Sequence, residues 1–114
     1  MRILDGEQTL IRIFLGESDR WHHAQVHTAL LERLRKEGFA GATVFHGIAG
    51  FGARSVIHTT HILDMSTDLP IVIEVVEDAE HVAKIIEILD EMLEGGLVTI
   101  EKVRVLRYAP GKQA

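Results

Sequence analysis

The chain has 114 residues, 46% of them hydrophobic and 25% charged, with a net charge of −5, seven His and no Cys. That length predicts one domain with a core large enough to stand without staples. The lack of Cys excludes disulfide scaffolds, thiolate zinc sites and cysteine nucleophiles, and the acidic balance argues against a nucleic-acid binder.

No stretch approaches the ~20 apolar residues of a membrane span, and Met1 to Gly6 lacks the apolar core of a signal peptide, so the expected setting is cytoplasmic. The core is expected over residues 8–108, with a polar lead at 1–7 and a frayed tail at 109–114. Leu10 to Leu15 is rich in β-branched and aromatic residues and stops at Gly16, which predicts a first strand. Ser18 and Asp19 are N-cap types, and they precede a helix expected over 22–36. Its apolar side carries His27, Leu30, Leu31 and Leu34, and Gly38 closes it. Residues 41–48 read as a second strand of small side chains, and 53–69 as a long polar loop. Pro70 opens a third strand running to Val76. A second helix over 79–94 shows the stripe Val82, Ile85, Ile86, Leu89 and Leu93, with Gly95 and Gly96 as its cap. The fourth strand is expected over 98–108, where a change of phase between Ile100 and Val103 suggests a bulge.

The order β-α-β-β-α-β predicts an α+β, ferredoxin-like fold, with a four-stranded antiparallel sheet and two helices on one face. Two helices cover one face, yet the first and third strands are apolar on both. Leu10 and Phe14 oppose Ile11 and Ile13, and Val72 and Val76 oppose Ile71, Ile73 and Val75. An uncovered face of that kind predicts a homo-oligomer.

Three segments offer chemistry. Glu17, Ser18 and Asp19 stand before a helix start, where backbone N–H groups attract anions but two carboxylates compete with them. Trp21 reads as a packing anchor. Gly47, Gly50 and Gly52 superficially resemble a dinucleotide fingerprint, but a polar loop follows them instead of a helix, so they read as permitting a bulge, a turn or close chain approach at an oligomer interface. Of the His, His27 and His81 are expected to be structural, whereas His22, His23, His46, His58 and His61 fall at junctions and in the loop. His46, His58 and His61 form the candidate divalent-metal set. Arg54, Lys102 and Arg104 are the candidate phosphate contacts. With no nucleophile elbow, HExxH pair or phosphate loop, no enzyme is expected and no cofactor is named.

The motifs Gly16-Glu17-Ser18-Asp19 with Trp21-His22, Gly41 to Phe45 with Gly47-Ile48 and Gly50-Phe51-Gly52, Ile57-His58-Thr59, and Leu69 to Glu74 resemble the family known as domain of unknown function 190. That family is similar in fold to the PII nitrogen-regulatory signal proteins. The resemblance implies a trimer with its sheets facing the three-fold axis, a signalling loop at 53–69, and a regulated partner such as a membrane fluoride channel. It implies a non-catalytic regulatory protein binding a small ligand, such as an adenine nucleotide, in clefts between subunits. The expected ligand set is Glu17, Ser18, Asp19, Trp21, His46, Gly47, Gly50, Gly52, Arg54 and His58, with Lys102 and Arg104. The turn Glu77 to His81 is acidic and without Gly, which disfavours a triphosphate there and leaves a smaller nucleotide. The alternative is a divalent-metal-binding trimer resembling the copper-tolerance proteins of the same fold.

Overall fold

The computed structural model describes residues 3–52, 58–59 and 69–109. Its centre is the long strand β1 (Gly6–Gly16), which pairs antiparallel with β7 (Pro70–Glu77) on one side and β8 (Leu97–Val105) on the other. The strand β4 (Thr43–His46) adds to β7, giving the order β4-β7-β1-β8. Two short ladders interrupt this frame: β2 (Arg20–Trp21) with β3 (Ala24–Gln25), and β5 (Ala49–Gly50) with β6 (His58–Thr59). The helices α1 (Val26–Lys36) and α2 (Ala79–Met92) complete the α+β fold.

Period-two alternation decides which side chains meet the helices. Ile11, Ile13, Ile71, Ile73 and Val75 are buried against Val26, Leu30 and Leu34 of α1 and Ile85, Ile88, Leu89 and Met92 of α2. Phe14, Val72 and Val76 point the other way and are half-buried, and Phe45 is exposed. The two-sided apolar pattern is therefore present in the folded chain.

Several expected boundaries move. α1 starts at Val26, not near His22, because the chain first makes the β2–β3 hairpin, with His22 at φ 57°. Ser18 and Asp19 consequently do not cap α1; Gln25 stands at that position without a side-chain cap. At its other end the helix closes as expected: Gly38 adopts φ 84°, its N–H bonds the Arg35 carbonyl, and the Phe39 N–H bonds the Leu34 carbonyl. The second strand shrinks to Thr43–His46. The lead is not merely polar, since β1 begins at Gly6 and Leu4 is buried. In α2 the buried stripe is Ile85, Ile88, Leu89 and Met92, while Ile86 is exposed. The expected bulge in the last strand is absent, for Leu97 to Val105 pair with Phe14 to Gly6 in unbroken register. β8 is an edge strand with Val98 and Ile100 exposed on the helix side, so burial does not force its alternation to keep phase.

On the outer surface, Arg33 joins the helices by bonding Glu37 at 2.8 Å and Glu91 at 3.1 Å, and Lys84 reaches Glu37 at 3.0 Å. The hydrogen bond from Arg33, then that from Lys84, holds the Glu37 carboxyl below the usual carboxylate range. A depressed folded value means the network stabilises the fold above the free-glutamate value of about 4.3 and is lost as pH falls through the lower folded value. The expected outcome is that thermal midpoints, followed by circular dichroism from neutral pH to about pH 3, fall less steeply on the acid side for Glu37→Gln than for the natural chain. Equal slopes would show that the network contributes nothing to acid stability.

Candidate functional site

Three backbone segments converge where β1 ends. The first is the turn after Gly16. The Asp19 carboxylate accepts the Gly16 N–H at 3.0 Å, its own N–H reaches the Gly16 carbonyl at 3.1 Å, and its carbonyl accepts the Val26 N–H at 2.8 Å. Three bonds thus fix one short residue, and the carboxylate is held in place. The Glu17 N–H bonds the Leu69 carbonyl at 2.9 Å, which ties this turn to the start of β7. Trp21 packs against the core and meets His22 edge-on, 4.3 Å between ring centres, as befits an anchor.

The second segment runs from His46 to Gly52. The Gly47 N–H donates to the Pro70 carbonyl at 2.7 Å, and a Cβ on Gly47 would stand 2.7 Å from the Pro70 ring. Gly50, whose added Cβ would meet the same ring at 3.0 Å, pairs with His58. Close approach explains both glycines. The third segment is the α2–β8 turn, where Gly96 adopts φ 108° and an added Cβ would lie 2.8 Å from the Phe14 carbonyl oxygen. Gly95 beside it faces open space.

Between these segments lies a groove of about 700 Å³. Its walls include Gly16, Asp19, Arg20, Gly50, Phe51, Gly52 and Pro70 on one side and Met92, Leu93, Glu94, Gly95, Gly96 and Leu97 on the other. Its volume falls within the range of small-molecule sites, and its lining mixes polar and apolar residues. Of the expected residues, Asp19, Gly50 and Gly52 line it. Glu17 and His46 lie elsewhere on this end, with His46 Nε2 3.4 Å from the Glu17 carboxylate, while Ser18 is exposed beside them. Arg54 and His61 fall outside the described residues, as does the side chain of His58, so the set of His46, His58 and His61 is an expectation only.

Lys102 and Arg104 are not brought to this groove within one chain. They pair with Thr9 and Glu7 in the sheet, and at roughly 3.3 Å per residue both stand more than about 20 Å from Gly16. Lys102 instead lies 3.7 Å from the Glu7 carboxylate.

Arg20, Phe51, Glu94, Gly95, Gly96 and Leu97 were not legible as groove residues, because three segments distant in sequence meet there. The expectation that Gly95 and Gly96 cap the second helix fails, because α2 ends at Met92 with the extended Leu93 as its C-cap and the Leu93 N–H on the Leu89 carbonyl; a Gly pair standing beyond that cap was the available signal. Among the described residues, the group of three side chains close enough to share a cation is Glu77, Asp78 and His81, with donor atoms within 4.8 Å of one another. These residues have structural duties. The buried Glu77 carboxylate accepts the Ala40 N–H, and Asp78 caps α2 by accepting the His81 N–H at 2.9 Å. The His81 ring lies 2.9 Å from the same carboxylate and edge-on to Phe39. His27 is half-buried, with Nδ1 enclosed and without a hydrogen-bond partner among the described residues.

The family model for domain of unknown function 190, an uncharacterised ACR, matches residues 8–105. Two UPF0166 proteins of Aquifex aeolicus are 32% and 39% identical, over 93% and 87% of this chain and 98% and 97% of theirs. A UPF0166 protein of Methanocaldococcus jannaschii is 31% identical over 86% of this chain and 91% of its own. Among solved structures, CPII of Thiomonas intermedia bound to ADP and bicarbonate superposes with a TM-score of 0.61 at 23% identity over 91% of each chain. CPII bound to ADP, AMP and bicarbonate, described as a nitrogen regulatory PII-like protein, gives 0.58 at 20% identity, again over 91% of each chain. The fold is thus PII-like. Among the described residues no helix is long and apolar enough to cross a membrane.

The two glycines of the third segment separate fold from filler. Gly96→Ala combines positive φ with a backbone clash and is expected to lower unfolding free energy by about 1–3 kcal/mol, whereas Gly95→Ala should stay within about 0.5 kcal/mol of the natural chain. Urea denaturation of both variants checks this contrast.

Proposed function

The chain belongs to the domain of unknown function 190 family, and on that premise we propose that it is a non-catalytic, PII-like regulatory protein. It works as a homotrimer that binds an adenine nucleotide at the groove. The observation that carries this proposal is the groove itself, bounded by the close approach of Gly50 to the Pro70 ring and of Gly96 to the Phe14 carbonyl and sized for a small molecule. A side chain at Gly96 would run into backbone and one at Gly50 would be tight against the Pro70 ring, so glycine keeps the space beside them open. The nucleotide is suggested by CPII, whose structures hold ADP and AMP.

The trimer is supported by the uncovered sheet face. There Phe14, Phe45 and Val72 surround a second hollow of about 420 Å³ with Arg12 and Glu74. Arg12 crosses that face, bonding Glu74 at 2.9 Å and Glu101 at 2.6 Å, and these two carboxylates raise its affinity for a proton, Glu74 foremost. An apolar patch rimmed by a satisfied ion network is suited to self-association, since the charges need no new partner when water leaves. A role in the cytoplasm, acting on a partner protein through residues 53–69, follows from this assignment.

Light scattering should give three times the 12.7 kDa chain mass for the natural protein. Phe45→Asp, at an exposed position on the sheet face, should give a smaller species with unchanged helix content. AMP or ADP should raise the thermal midpoint of the natural protein, a saturating excess of 100 Kd contributing about 2.7 kcal/mol. A monomer at micromolar concentration would overturn the assembly, and midpoints unmoved by either nucleotide would overturn the ligand.

A further inference from the structure

The register of the sheet gathers the charges of the uncovered face into one cluster. Arg12 of β1 stands opposite Glu74 of β7 and Thr99 of β8, and Thr43 of β4 lies beyond Glu74. Glu101 follows two residues along β8 on the same face. The Arg12 guanidinium reaches Glu74 at 2.9 Å and Glu101 at 2.6 Å. By alternation the other positions of this face, such as Gln8, Leu10, Phe14, Val72 and Phe45, are uncharged. Lys102 and Arg104 pair with Thr9 and Glu7, which puts them on the helix side. Two carboxylates thus share one guanidinium, and the face carries one excess negative charge. In the single chain the Glu74 and Glu101 side chains are 32% and 54% exposed, so water screens that excess.

Resting on the homotrimer proposed above, we infer that assembly through this face takes up protons at the Arg12, Glu74 and Glu101 cluster, and that Glu101 is the residue that makes it do so. Copies of one chain bring copies of one face, so where sheet faces meet each neighbour adds the same excess and no balancing cation. The count therefore holds for the assembly as well as for the single chain. The cluster needs no new partner for its hydrogen bonds, but a charge withdrawn from water without a counter-charge is strongly disfavoured. One proton per chain removes it and leaves a neutral carboxyl beside an ion pair. The assembled face then binds more protons than the free one, so the trimer strengthens as pH falls and weakens as pH rises. The groups that set this are Arg12 on β1, Glu74 on β7 and Glu101 on β8, while β4 adds only Thr43 and Phe45 to the face. Glu101 lies on the edge strand outside the buried core, so Glu101→Gln keeps the fold, retains an oxygen for Arg12 and balances the charge.

The experiment is sedimentation of the full chain with fluorescence detection, from nanomolar to micromolar concentration, at about pH 5.5 and about pH 8. Circular dichroism follows helix content at both values. At the higher pH Glu101→Gln should reach half assembly at a concentration about tenfold or more below that of the natural chain. At the lower pH this gap should close by about threefold or more, because the natural chain tightens and the variant does not. The double variant Glu74→Gln with Glu101→Gln leaves Arg12 in excess and should fall back toward the natural chain, which a merely steric role for Glu101 would not produce. If natural trimers stay whole at nanomolar concentration, the rate of subunit exchange with labelled copies gives the same ranking. Glu101→Gln trimers weaker than the natural ones would mean that a neighbour's cation meets Glu101. That result, or equal trimers, or a natural trimer indifferent to pH, would overturn proton-linked assembly and leave the homotrimer standing. Natural chain and variants all monomeric would overturn the homotrimer, and this inference with it.

Discussion

Strand β1 lies between β7 and β8, and its alternation is what the rest of the molecule depends on. Ile11 and Ile13 are completely buried beneath the helices, and with Ile73 they anchor the shared core. A slip of one residue in the β1–β7 register would turn these side chains outward and bring Arg12 and Glu74 under the helices, where an ion pair is costly. The same register places Arg12 opposite Glu74 and Phe14 opposite Val72, so one constraint fixes both the core and the uncovered face.

That constraint also positions the groove. β1 ends at Gly16, directly opposite Pro70, and Pro70 is the surface against which Gly47 and Gly50 close. At the other edge of β1, Phe14 pairs with Leu97, and its carbonyl meets Gly96. The groove is the space left where two neighbours of one strand are forced close by glycine contacts. Its floor is rigid sheet, and its walls are loops, the usual division between scaffold and site.

The sheet and the helices were legible because each bears a period that burial enforces. Ile71, Ile73 and Val75 alternate, and Leu30 and Leu34 recur at helical spacing. Legibility fell where burial stops enforcing anything. β8 lies at the edge with Leu97, Val98 and Ile100 exposed, so its change of phase resembled a bulge and was none. The hairpin before α1 was hidden for another reason. Trp21, His22 and His23 carry no turn signature, and the turn needs the uncommon positive φ of His22. Of the readings open for the glycines, Gly47 and Gly50 make a close approach, but within the chain and not at an oligomer interface, and what they approach, Pro70, lies twenty or more residues away. Arg20, Glu94 and Gly96 became site residues through tertiary convergence alone.

The central claim is that the small-molecule site of this PII-like chain is the groove at the Gly16 end of the sheet. Backbone amide chemical shifts of the labelled protein, recorded as AMP is added, test it most directly. The amides of residues 16–20, 50–52 and 94–97 should move together in one saturable event, with those around Glu77, Asp78 and His81 unmoved. Shifts centred on Glu77 to His81, or none that saturate, would contradict the account.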